Sequence, residues 1–262
     1  MKLKSNAARL LWLLAISACT TASAPAPGPR KLEVLVVTGG HGFKAQPFFR
    51  MFDENPDIHY VTARQDQAAE AYDRTDLASF DVVVLYDSPS RISEAQKGRF
   101  LALFERGTGL LVMHHALLSY QDWPIYERVV GGKYALDDTR SGDRLIPGSD
   151  CAKDLGDLGQ KGCKSDVVIP VTVNAAPHPT TAGLGPFTIV DELYLDLHLG
   201  TDIQPLLGTG SQVLAWARQE RNSRVVATIL GHGPPAQENP AFARFLRQSI
   251  RWVARRPDHA GP

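Results

Sequence analysis

LEVLVVTGGHGF, residues Leu32 to Phe43, decides the class of fold. Apart from Glu33, the stretch to Val37 is leucine and valine without the alternation of a strand that keeps one face wet. A run of this kind marks a strand covered on both faces, as in a parallel sheet flanked by helices. Gly39 and Gly40 end it. The same grammar recurs in DVVVLYD (Asp81 to Asp87), in GLLVMHHA from Gly109 and in RVVATIL (Arg224 to Leu230), with IHYVTA from Ile58 as a further strand. Helical segments lie between them. Ala45 to Phe52 reads as a short helix. Ser93 to Arg106 reads as a longer one, with Ser93 and Gln96 as a capping box and Gly107 as its stop. This βαβ alternation predicts an α/β domain with a parallel sheet and helices on both faces. Right-handed crossovers place the strand ends after Thr38, Asp87 and Met113 on one edge, where ligands of such sheets bind. VVIPVTV, ending at Val173, Val190 to Leu195 and Gln212 to Arg218 are expected as additional strands. A closing helix opens at Asn239 with Pro240 in its first position. Its apolar stripe is Phe242, Phe245, Leu246, Ile250 and Val253, and Arg244, Arg247, Arg251 and Arg255 form a solvated face.

Outward from that core, residues 1–18 carry Lys2, Lys4 and Arg9 and then the apolar run LLWLLAI, the layout of a secretory signal too short to span a bilayer. Ile16, Ser17 and Ala18 before Cys19 match a bacterial lipobox, so Cys19 is expected to carry the lipid and become the mature N-terminus. Residues 19–30 read as an Ala- and Pro-rich tether, and 31–256 as the folded domain. The protein is therefore expected to be exported and lipid-anchored in the cell envelope, in the periplasm or at the outer membrane, towards which Thr20 leans. A chance cysteine beside an ordinary cleavage site is the plainer alternative. Of 28 Lys plus Arg, three fall in the signal, leaving 25 against 28 Asp plus Glu. That balance gives no reason to expect a nucleic-acid partner.

Residues 133–164 are polar, Gly-rich and aperiodic, and read as an irregular insertion. Within it Cys151 and Cys163 are the remaining cysteines. In an oxidising compartment they most simply pair, a closure worth about 3 kcal/mol on the chain-entropy model. Neither stands in a C-x-x-C or beside a histidine, which weakens a redox or metal role.

Three buried strands end in histidine-bearing turns: GGHGF, MHHA and LGHG. Topology gathers His41, His114, His115 and His232 at one edge, with Gly40 allowing close backbone approach to a ligand. Clustered imidazoles can move protons near neutral pH or bind a metal. Singly, each is as well explained as a turn held by hydrogen bonds. Asp191, Glu192 and Tyr194 in DELY, His178 in HPTT, and Trp123 are the next candidates. Glu192 would act as base or ligand, and Tyr194 and Trp123 as surfaces for a sugar ring. The structural alternatives are a loop fixed by His178 and core packing by the two aromatics.

The strings VLVVTGGHGF, GTGLLVMHHA, YERVVGGKY, HPTTAGLGPF, DELY and VVATILGHG, in this order and closed by IRWVA, resemble the ThuA-like (trehalose utilisation) family over roughly Leu32 to Ala254. The resemblance implies a three-layer fold similar to class I glutamine amidotransferases, flavodoxin-like in outline, and a link to sugar use. Those amidotransferases carry a nucleophilic cysteine in a strained turn after a central strand. Here the turn reads Met113, His114, His115, Ala116, so glutamine hydrolysis through a thiolate is not expected. No G-x-S-x-G occurs either. Two main readings stay open. One is an enzyme (lyase, hydrolase or isomerase) on a small carbohydrate or a derivative such as an oxidised glycoside, using His41, His115, His232 and Glu192. In it Gly40, His114, Trp123, His178 and Tyr194 contact substrate, and His41, His115 and His232 are the candidate ligands of a divalent metal such as zinc or manganese. No H-x-H or H-E-x-x-H spacing fixes such a ligand set. The other is a carbohydrate-binding surface lipoprotein without catalysis. A purely structural envelope lipoprotein fits the glycine-rich histidine turns less well.

Overall fold

The computed structural model describes residues 30–66, 70–136, 139–141, 144–146, 163–195 and 197–255. Cys19, the signal, the tether before residue 30 and Cys151 lie outside these residues, and so does the expected disulfide. In chain order the elements are β1 (Leu32–Gly39), α1 (Ala45–Asp53), β2 (Ile58–Arg64), β3 (Val82–Asp87), α2 (Glu94–Arg106), β4 (Gly109–Met113), α3 (Pro124–Val130), β5 (Gly132–Lys133), β6 (Thr139–Ser141), β7 (Arg144–Ile146), β8 (Cys163–Val173), β9 (Phe187–Tyr194), β10 (His198–Leu199), β11 (Gln204–Thr209), β12 (Gln212–Glu220), β13 (Ser223–Thr228), α4 (Pro234–Gln237) and α5 (Pro240–Val253).

The main described sheet runs β2-β1-β3-β4-β13-β12-β11-β8-β9. Its first five strands are parallel, as their unbroken apolar runs require. The expected α/β parallel core is present, and the further strands, whose direction the sequence left open, extend it antiparallel as β12, β11, β8 and β9. Loop length decides this. Only Arg221 and Asn222 separate β12 from β13, and only Gly210 and Ser211 separate β11 from β12. A parallel return needs a crossover of a dozen residues or more. β11 was not read from sequence because Pro205 and Gly208 break its pattern. The insertion also departs from expectation: its described parts form β5, the β6–β7 hairpin and the start of β8, which begins at Cys163.

Helix ends follow their sequence signals. Ser93 Oγ accepts from Gln96 N at 3.2 Å, and Ser93 N donates to Gln96 Oε1 at 3.0 Å. Gly107 then closes α2 in a left-handed conformation, φ +83°. Asn239 Oδ1 accepts from Ala241 N and Phe242 N, and Pro240 fits the first turn because the missing N–H would have no partner there. The expected stripe of α5 is the one that is buried. Full burial of each such side chain stabilises by about 1.5–3 kcal/mol. On the other layer, Phe100 of α2 packs edge-on against Trp123 and tilted against Tyr126 of α3.

α5 crosses close over the start of β4. A Cβ on Gly109 would lie 2.5 Å from the Val253 carbonyl oxygen. Gly109→Ala is therefore expected to cost about 1–3 kcal/mol through overpacking. The check is the urea midpoint, with the slope unchanged; a midpoint equal to wild type would show that α5 has room to move.

Candidate functional site

The C-terminal ends of β1, β4 and β13 deliver the imidazoles. β4 ends at Met113, and His114 takes a left-handed backbone, φ +45°. For a side chain other than glycine such strain costs about 1–3 kcal/mol. It is offset by what the ring then reaches. The fully buried His114 donates from Nδ1 to the Ile229 carbonyl, and its Nε2 lies 2.8 Å from Glu192 Oε2. Both ring nitrogens thus face oxygens that can accept hydrogen bonds, and these contacts fix the ring in place. Burial works to raise the Glu192 pKa, but the hydrogen bond and charge of His114, with smaller help from His232 and Ser165, bring it below the ordinary value.

His115 stands beside this pair. Its Nδ1 is 3.1 Å from the Tyr194 hydroxyl, and its ring centroid lies 4.5 Å from that of His114, 5.2 Å from His232 and 4.1 Å from His41. Burial pushes its pKa strongly down, and His114, His41 and His232 push it further. The magnitude of the repulsion explains why: two like charges about 4 Å apart repel by about 4 kcal/mol even at an effective dielectric near 20. His115 is thus a neutral imidazole at neutral pH. His41 is lowered too, first by burial, against the backbone hydrogen bonds that would raise it. Its Nε2 donates to the Tyr86 carbonyl at 2.9 Å.

Asp191 fixes the third turn. Its carboxylate accepts from Gly231 N at 2.6 Å, His232 N at 3.0 Å and Glu192 N at 2.9 Å. Burial nevertheless leaves its pKa above the ordinary carboxylate value. The His232 carbonyl in turn accepts from the Tyr86 hydroxyl at 2.7 Å. The ring nitrogens of His114, His115 and His232 lie within 4.8 Å of one another.

The structure therefore brings His41, His114, His115, His232, Glu192 and Tyr194 together and leaves two predicted residues elsewhere. His178 binds Thr180 through Nδ1 and packs edge-on against Trp252 at the end of α5, next to the opposite edge of the sheet. Trp123 is buried among Phe100, Tyr120 and Tyr126. Tyr194 is 1% exposed and stacks between His114 and Tyr134. It holds His115 and does not offer a face to a sugar. Gly40, φ +76°, is needed where expected, but the close approach is to its own chain: a Cβ there would lie 2.3 Å from the Ser88 carbonyl oxygen. Tyr86, Ser165 and Gln237, which hold these turns, carried no sequence signal beyond ordinary strand or loop residues.

Glu192 stabilises the folded state above pH 4.5, its ordinary pKa, and that contribution is lost as pH falls through the lower folded value. Glu192→Gln is expected to lower the urea midpoint at pH 7 and to flatten its fall below pH 4.5. Parallel wild-type and variant curves from pH 7 to pH 3 would contradict the lowered pKa of Glu192.

The model of the ThuA family, described as trehalose utilisation, matches residues 33–253. Among solved structures, the chain is similar to a ThuA-like protein from Parabacteroides merdae (18% identity, TM-score 0.69, covering 89% of this chain and 94% of that one). It is also similar to a ThuA-like protein from Bacteroides uniformis (16%, 0.58, 88% and 94%). A third similar structure is a β-galactosidase from Rahnella sp. R3 (11%, 0.53, 87% of this chain but 32% of that one). At these identities the likeness is one of fold. No curated protein matches the chain by sequence.

Proposed function

Because the chain belongs to the ThuA, trehalose-utilisation family, we propose that it acts on a carbohydrate or carbohydrate derivative, such as an oxidised glycoside, by acid/base chemistry at the histidine edge. The observation that carries this reading is the contrast between two neighbouring groups. The Glu192 carboxylate is held against His114 with its pKa lowered, while His115, edge-on beside His114, is kept neutral. Environments that push two titratable groups apart supply an acid and a base in one site. In this reading His114–Glu192 gives the proton and His115, oriented by Tyr194, receives one. His41 and His232 face the same space and bind hydroxyl groups of the substrate. Asp191 and Tyr86 act by position, holding the His232 turn.

A divalent ion is a second reading favoured by the convergence of three imidazoles. Among the described residues the His115 Nε2 and the His232 ring nitrogens accept or donate no side-chain hydrogen bond, whereas His114 would exchange its Glu192 contact for the ion. His41, with Nε2 turned to the Tyr86 carbonyl, is less suited to be a ligand than His114. Zinc or manganese suits imidazole and carboxylate donors and would supply Lewis acidity to a carbonyl or hydroxyl of the sugar.

One set of purified proteins tests both. His115→Ala is expected to retain sugar binding, seen as ligand-dependent thermal stabilisation, while losing turnover by at least about 100-fold, the usual worth of a positioned acid or base. Stabilisation of wild type by a sugar that is recovered chemically unchanged favours the non-catalytic surface binder. Metal content by mass spectrometry decides the second reading: stoichiometric metal lost in His115→Ala and His232→Ala supports it, and metal-free wild type with full turnover removes it.

The reading includes export and lipid anchoring through Cys19, supported by the lipobox order Ile16, Ser17, Ala18, Cys19. In a bacterial host, wild type is expected in the membrane fraction with the mass of a lipidated N-terminal cysteine, and Cys19→Ala without it. A wild-type chain that keeps residues 1–18 would refute the anchor.

A further inference from the structure

Two aromatics expected to carry a sugar fail on burial, since Trp123 is 7% exposed and Tyr194 1%. The imidazole edge nevertheless has an aromatic neighbour with open surface. Among the described residues, the rings that pair with the four imidazoles, apart from one another, belong to Phe43, Tyr86 and Tyr194. Tyr86 and Tyr194 are buried, whereas Phe43 is only half-buried. Its centroid lies 5.9 Å from that of His41. Phe48, Phe49 and Tyr86 hold it in T-shaped contacts at 5.1, 6.0 and 5.5 Å, and among the described residues no ring lies parallel to it. The core thus fixes Phe43 in place and leaves part of it open beside His41, His115 and His232, which are half-buried themselves.

The residue before it is harder to explain from the fold. Gly39 and Gly40 have positive φ, and a Cβ on either would strike a backbone carbonyl. Gly42 has neither reason to be glycine: its φ lies outside the left-handed region, and a Cβ there would meet nothing within 4 Å. It is also exposed. At such a position alanine is the more stable choice, because glycine loses more conformational freedom on folding. What the glycine preserves is the open space itself. A side chain at 42 would grow into that space from between His41 and Phe43.

A pyranose ring carries C–H groups that make one face apolar, and hydroxyl groups around its rim. An aromatic ring takes the first and imidazoles take the second, the mixture of apolar wall and few polar groups that fixes small ligands. We propose that Phe43 is the platform for the apolar face of the sugar ring, and that Gly42 is bare so that the ring can settle on it beside His41. This rests on the carbohydrate reading above and adds a requirement of shape. The ligand presents a closed ring to the edge, not an open-chain polyol.

Thermal melts in trehalose, the sugar of the family description, in methyl glucoside and in the open-chain polyol sorbitol, at matched concentrations, test this. All three stabilise a protein without saturation by exclusion from its surface, and a binding site adds a saturating rise. Wild type is expected to show that rise with trehalose or methyl glucoside and not with sorbitol. Phe43→Ala is expected to increase the half-saturating concentration several-fold, with Phe43→Tyr restoring it. Gly42→Ala is expected to weaken binding similarly while melting, without sugar, at or above the wild-type temperature. Wild-type half-saturation in both Phe43→Ala and Gly42→Ala overturns the platform and leaves the carbohydrate reading standing. Equal saturating rises with sorbitol and methyl glucoside overturn it too. So does a Gly42→Ala protein that melts well below wild type, since the fold then needs the glycine. No saturating rise of wild type with either sugar removes the carbohydrate reading and this inference together.

Discussion

The hydrogen bond between His114 and Glu192 is the contact on which the candidate site depends, because it joins two halves of the sheet that the strand order holds apart. His114 follows β4 in the parallel half, and Glu192 belongs to β9, the last strand of the antiparallel extension. For the two to meet, β9 must lie back over the ends of β4 and β13. Asp191 shows the same return, since its carboxylate caps the backbone of Gly231 and His232 just beyond β13. Glu192 and Tyr194 are two residues apart on one strand and so project to the same side. One reaches His114 and the other His115. The four-residue span Asp191 to Tyr194 of β9 thus orders three of the four imidazoles through side chains or backbone.

The same contact places one carboxylate against the imidazole cluster. Four imidazoles within stacking distance cannot all be protonated, since each added charge is opposed by several kcal/mol of repulsion at low effective dielectric. The carboxylate of Glu192 lies against His114, and burial, followed by repulsion from the other imidazoles, keeps His115 and His41 below their ordinary pKa. The strained backbone of His114 is consistent with this division of labour. Its φ of +45° aims the ring between two fixed oxygens, the Ile229 carbonyl and the Glu192 carboxylate.

Much of this was legible in the sequence, for identifiable reasons. β1, β3, β4 and β13 carry unbroken apolar runs, α2 and α5 carry capping residues with short-range partners, and the histidine turns follow from strand direction alone. What escaped depends on contacts far apart in sequence. The antiparallel extension was hidden because β11 contains Pro205 and Gly208. Its sense is set by two-residue turns, not by composition. Tyr194 reads as a sugar platform or a core residue with equal justice until His115 is seen 3.1 Å from its hydroxyl. His178 and Trp123 have the right chemistry for a site, but local packing against Trp252 and Phe100 places them elsewhere. The full burial of Asp87 at the end of β3 gave no signal at all, since an acid at the end of a buried strand usually finds solvent.

The glycines at the end of β1 connect these observations. The end of β1 runs so close to the ends of β2 and β3 that a Cβ on Gly39 would lie 2.6 Å from the Gln65 carbonyl oxygen, just after β2, and one on Gly40 2.3 Å from that of Ser88, just after β3. Neither oxygen can retreat without disturbing the ends of β2 and β3. Only glycine allows this approach, and the approach has two effects. It carries His41 over Tyr86 to the histidine edge, and it leaves Gly40 as a wall of a polar cleft that Gln65 also lines. Gly39 and Gly40 therefore belong to the site less as ligand contacts than as the partition between two polar regions. On one side of it stand the imidazoles, and on the other the hydroxyl, amide and carboxylate groups of the cleft.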